Sequence, residues 1–158
     1  MAVDRDRMTG GLPPGRGPAK ARVAGIITLV LGVIAAVVGV IALANSGADG
    51  ALVGGGAVGV VVAVLAFLLT GYGFQIARTS AAALPASGPL ILLSLLAAIV
   101  GVLGSMGAFV LSSAVASQNG VAVAIVVLLL AFLVTITGFV LVRTARVGSG
   151  NVAGTQRN

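Results

Sequence analysis

Side chains able to do chemistry are scarce in this chain of 158 residues, which holds three carboxylates (Asp4, Asp6 and Asp49), nine Lys and Arg, one Tyr, and neither His nor Cys. General acid–base catalysis needs a positioned carboxylate or imidazole, nucleophilic catalysis a hydroxyl or thiol beside such a base, and a metal site several clustered donors. Asp4 and Asp6 lie together near the N-terminus and Asp49 stands far from both, so no such constellation can be assembled. No catalytic, cofactor-binding or metal-binding residue is therefore expected, and the chain is expected not to be an enzyme.

Two strings imitate known motifs. Gly54 to Gly59 fits G-x-G-x-x-G, but no strand precedes it and no acidic residue follows at the spacing that holds a dinucleotide ribose. Thr70-Gly71-Tyr72-Gly73 resembles a potassium-channel filter with one residue missing, and the site lacks a pore helix before it. Proton-coupled transport would also leave an ionisable residue inside an apolar segment, and none is present.

What remains is an unusual solvent preference. Hydrophobic residues make up 59% and charged residues 8%, where a soluble domain carries about a quarter charged. A small globule in water has too much surface to hide that many apolar side chains, so the bilayer is the expected solvent. A net charge of +6 could suit nucleic acid, but the bases flank apolar blocks without interleaved aromatics, so no nucleic-acid partner is expected. Eight Arg against one Lys, with abundant Ala, Gly and Val, points to a high-GC bacterial genome.

Charge is absent over 26 residues from Val23, 28 from Gly50 and 64 from Thr79. A crossing takes about 20 helical residues, and the last run is broken by Ser112, Ser113, Ser117, Gln118 and the Asn119-Gly120 turn signal. Four spans follow, at about 23–44, 52–76, 90–111 and 121–142. The bases fall at Arg5, Arg7, Arg16, Lys20 and Arg22, then Arg78, then Arg143, Arg146 and Arg157, all on one side of such a chain. Short loops rich in Lys and Arg stay cytoplasmic, so a multi-pass cytoplasmic-membrane protein with both termini inside is expected. The N-terminus imitates a secretory signal ending in Ala42-Leu43-Ala44, but its apolar run is longer than a signal core. The expected domains are a disordered basic cytoplasmic tail over 1–22, a four-helix transmembrane domain over 23–146, and a short flexible cytoplasmic tail over 147–158.

Offset by 65 residues, the chain matches itself: Leu65-Ala66-Phe67-Leu68 falls on Leu130-Ala131-Phe132-Leu133, and Thr70, Gly73, Phe74, Arg78 and Thr79 on Thr135, Gly138, Phe139, Arg143 and Thr144. Ungapped, 24–81 and 89–146 share 20 identities in 58 pairs, where so biased a composition gives roughly six by chance. This register sets Gly39 against Gly104 and Ile34 against Ile99. The expected fold is all-α, two parallel-repeated helical hairpins forming one bundle.

Helices in lipid associate through close contact, which small residues permit. Gly25, Gly32 and Gly39 recur every seven positions, as do Ser94, Gly101 and Ala108, with Ala97 and Gly104 in an adjacent row; Gly55 and Gly59 form a GxxxG. A seven-residue period implies left-handed packing. Arg22, Arg78, Arg143 and Arg146 are expected as interface anchors or contacts to lipid head groups. Without chemistry of its own, the chain is expected to bind the lipid bilayer and other membrane subunits or itself, as an accessory or scaffold protein. The alternative is a small oligomeric channel, facilitator or exporter for an uncharged or apolar solute.

Overall fold

The computed structural model describes residues 16–47, 49–78, 87–115 and 117–155. They form four helices and, among the described residues, no strand: α1 (Arg16–Ala44), α2 (Gly50–Arg78), α3 (Ser87–Ala114) and α4 (Gln118–Thr155). Inside a bilayer no water satisfies backbone groups, so an apolar chain must close its hydrogen bonds within each segment, and Val-rich sequence becomes helical there. All four helices are long and apolar enough to span a membrane, over Ala19–Ala44, Gly50–Arg78, Gly88–Ala114 and Gln118–Ala145.

Three boundaries differ from the sequence expectation. The residues from Arg16 to Arg22 are helical rather than tail. Pro18 stands in the first turn, where a missing N–H leaves no bond unmade, and Lys20 and Arg22 propagate a helix well. α4 starts at Gln118, so Asn119-Gly120 lies within its first turn and the chain reverses before it. The same helix runs on to Thr155 through residues assigned to the flexible tail. The expectation for residues 1–15 and 156–158 falls outside the described residues, as does that for the middle loop over 79–86.

Each helix packs mainly against its neighbour in the chain, α1 on α2 and α3 on α4; α2 also meets α3 and α4, α1 meets α4, and α1 and α3 do not touch. The pair α2 and α4 is therefore the central diagonal, with α1 and α3 as flanks. Val62, Leu69, Val127, Val134 and Leu141 are fully enclosed. Bulky side chains such as Val30, Val40, Leu92, Leu103 and Phe132 point outward. This distribution suits lipid, where large apolar groups lose nothing by facing the solvent and backbone approach is the binding force.

Candidate functional site

The contacts that close the bundle run along two seams. On α1, a Cβ at Gly25 would lie 3.6 Å from the Gly73 backbone and one at Gly32 would lie 3.1 Å from Ala66 Cβ, and on α2 one at Gly59 would lie 3.2 Å from Gly39 Cα. Each step of seven along α1 is matched by a step of seven back along α2, the spacing of a left-handed antiparallel seam. On the second hairpin a Cβ at Gly138 would strike Ser94 Oγ, and one at Gly101 would strike Ala131 Cβ. Ala108 and Ala124, one further step of seven along α3 and back along α4, are both buried.

The two seams correspond when Gly25 and Gly32 are set against Ser94 and Gly101, and Gly73 and Ala66 against Gly138 and Ala131. For the second helix of each hairpin that is the 65-residue offset; for the first helix it is 69. The ungapped match of Gly39 with Gly104 is thus one helical turn out of step with the contacts. Half of the difference lies in the turns, since α1 and α2 are joined by the five residues 45–49 and α3 and α4 by only the three residues 115–117.

The glycines differ in role. Gly39 is the tightest on α1, since a Cβ there would lie 2.8 Å from Gly56 O and 2.9 Å from Val60 N. A Cβ at Gly104 would lie 2.6 Å from Val58 Cγ2 on α2. The GxxxG is not one face: Gly55 turns toward Val123 on α4 and Gly59 toward α1. Gly56, Gly73 and Gly138, which the sequence offered in the imitation motifs and the repeat but not as packing positions, are packed as closely. The sequence signal that could have found Gly73 is the seven-residue step back through Ala66 to Gly59. Both imitation motifs lie within the continuous helix α2.

Buried hydroxyls are almost all bonded within their own helices. Thr28 Oγ1 donates to Ala24 O at 2.9 Å, Ser94 to Leu90 O at 2.7 Å and Ser112 to Ala108 O at 2.6 Å. Thr70 Oγ1 donates to Ala66 O and lies 3.2 Å from Thr28 Oγ1, joining α1 to α2. Ser105 Oγ is the exception, buried and without a partner among the described residues. An unmade hydrogen bond in a buried site costs about 1–3 kcal/mol. Ser105→Ala is therefore expected to stabilise the bundle by about 1 kcal/mol, read as a raised unfolding midpoint in detergent; a lowered midpoint would show that the hydroxyl has a partner.

At the end of the bundle that carries the two hairpin turns, the polar groups interlock. Gly47 takes a left-handed φ of 48° to close the first turn. Asp49 Oδ1 then accepts the Ala51 and Leu52 N–H groups at 2.9 and 3.4 Å, capping α2. Ser117 Oγ caps α4 by accepting the Gly120 N–H at 3.1 Å, and donates its own proton to Asp49 Oδ2 at 2.6 Å. One hydrogen bond thus ties the two turns together. The Ser117 hydroxyl, with lesser help from the two amides and against some desolvation, holds the Asp49 carboxyl below its ordinary 3.8. A depressed folded-state pKa means the ionised group stabilises the fold above about 3.8, and that this contribution disappears as pH falls through the lower folded value. Thermal unfolding in detergent is expected to lose stability below pH 4 in the wild type and to lose less in Asp49→Asn; identical acid profiles would exclude the clasp as a source of stability.

The other end carries the bases of the described residues. Arg22, Arg78 and Arg143 are exposed there, near the start of α1, at the end of α2 and within the last third of α4, and Arg146 lies on the same stretch of α4. Between α1 and α4 at this end lies an apolar groove of about 360 Å³, lined by Val23, Ala24, Ile27, Thr137 and Val140, with Lys20 beside it. Among the described residues no group of three metal-binding side chains occurs.

Four apolar spans in one helical bundle, small-residue seams inside and bulky apolar side chains outside define a multi-pass membrane protein. No protein-family model, curated protein or solved structure matches the chain.

Proposed function

We infer that the chain is a non-enzymatic subunit of the bacterial cytoplasmic membrane, both termini inside, that serves a larger assembly as a scaffold through its outward helix faces. The observation that carries this reading is the division of labour among the helices. The α2–α4 diagonal is packed with fully enclosed side chains, while α1 and α3 stand on separate flanks and present Val30, Ile34, Val37 and Leu92, Leu103, Val110 outward. A filled interior favours action at the surface over passage through one copy. The matched seams support a duplicated hairpin whose second copy has four residues fewer between its matched seam positions, which gives the molecule two related but unequal flanks.

Purification in mild detergent, with quantitative mass spectrometry of what is retained, tests the reading. A membrane protein retained at fixed stoichiometry, and released by Leu103→Trp or Ile34→Trp with the helical content unchanged, is the expected result. A self-oligomer alone, with solute flux into liposomes above that of protein-free vesicles, would replace it with the channel reading. Orientation is read from single cysteines: Gln118→Cys is expected to label from outside and Thr79→Cys only after permeabilisation, and the reverse pattern would overturn it.

A further inference from the structure

We propose that the groove between α1 and α4 is a binding site for one anionic phospholipid, its acyl chain lying along Val23, Ala24, Ile27, Thr137 and Val140 and its phosphate meeting Lys20. The inference rests on the chain lying in a bilayer and not on its serving as a subunit. At about 360 Å³ the groove falls at the lower end of the range for ligand pockets, and apart from Thr137 and Lys20 it is lined by apolar side chains alone. Exposed Val23, Ile27 and Val140 form its open side, so a lipid chain enters from the bilayer without crossing protein.

Charge selects the head group. Lys20 stands beside the groove, Arg22 and Arg143 are exposed at the same end, and the one described carboxylate, Asp49, lies at the opposite end of the bundle. A cation near the membrane surface favours an anionic lipid, and a long flexible Lys can hold its ammonium at the phosphate while its stem follows the groove.

The opposite flank shows why the groove occurs here. In the register that matches the two seams, Thr137 corresponds to Tyr72, Val140 to Gln75, Ala24 to Leu93 and Lys20 to Pro89. Tyr72 and Leu93 are partly buried and packed against the core. At the positions that correspond to Thr137 and Ala24, then, the other flank carries a ring and a leucine packed against the core, and a proline stands at the position of the cation.

The test is native mass spectrometry of the whole chain in mild detergent, delipidated and then mixed with phosphatidylglycerol or phosphatidylcholine of identical acyl chains. One phosphatidylglycerol per chain is expected to survive activation that strips phosphatidylcholine, with an apparent preference of about fivefold. Lys20→Gln is expected to abolish the preference while weak retention of both lipids persists. Thr137→Tyr, which copies the opposite flank, is expected to remove the retained lipid whatever its head group, with thermal unfolding in detergent kept within a few degrees of wild type. Thr137→Ser, which keeps the groove open, is expected to bind as the wild type does. Equal retention of the two lipids, binding untouched by both Lys20→Gln and Thr137→Tyr, or an equal loss of preference in Arg78→Gln, would overturn the proposal in favour of non-specific annular lipid.

Discussion

Gly39→Ala is expected to destabilise the bundle by about 2–3 kcal/mol, although alanine is the better helix former by about 1 kcal/mol. The added methyl meets Gly56 O at 2.8 Å and Val60 N at 2.9 Å, which are backbone atoms of α2 and cannot swing aside. The first hairpin must open along its seam to admit it, and every small-residue contact from Gly25 to Gly59 loosens together. Gly71→Ala and Gly107→Ala are the controls, since a Cβ at either meets nothing within 4 Å. They are expected to be neutral, or stabilising by about 0.5 kcal/mol. Gly25→Ala is expected to fall near the controls, because its contacts at 3.6 Å are ordinary van der Waals distances. Reversible unfolding in a denaturing-detergent titration checks the series. Similar midpoints for Gly39→Ala and Gly71→Ala would refute the seam as the source of cohesion.

Leu69→Ala is expected to cost about 2 kcal/mol. Leu69 is fully enclosed on α2 and lies against Gly138 of α4, with a Cδ1 3.4 Å from the Cβ position there, so it fills the centre of the diagonal. Large-to-small changes in water-soluble cores cost about 2–5 kcal/mol, part of which is lost transfer from water. In a bilayer the separated helices already sit in hydrocarbon, so that part largely vanishes and the cavity term dominates. Leu68→Ala, on an exposed position of the same helix, is expected to change stability by less than about 0.5 kcal/mol. The same titration reads both variants, and equal losses would mean that Leu69 does not occupy the centre. Neither side chain is polar, so changes in helix orientation are not expected to complicate the comparison.

The sequence alone made the four spans readable, because transfer into lipid is decided residue by residue and a run free of charge has one outcome. Asp49 and the bases mark the spans' ends for the same reason. The small-residue rows Gly25–Gly32–Gly39 and Ser94–Gly101–Ala108 were also visible, since seven-residue spacing is a local property. Their partners were less so. Gly73, Ala66 and Gly59 form an equal row only when read backwards along α2, and Gly56 contacts α1 at a position that no single-helix pattern distinguishes from Gly54. Arg16 to Arg22 read as tail because short polar stretches have no periodicity, although the helix behind them supplies the nucleus on which they continue.

Composition and charge thus determined that this is a chain of four apolar helices with its bases outside the apolar runs, since those follow from the solvation of individual side chains. Tertiary structure decided the one-turn shift between the hairpins, the Asp49–Ser117 clasp and the groove beside Lys20. Each depends on how closely two backbones far apart in sequence approach, and that distance is set by both surfaces at once: a glycine on one helix gains meaning only from what stands opposite it.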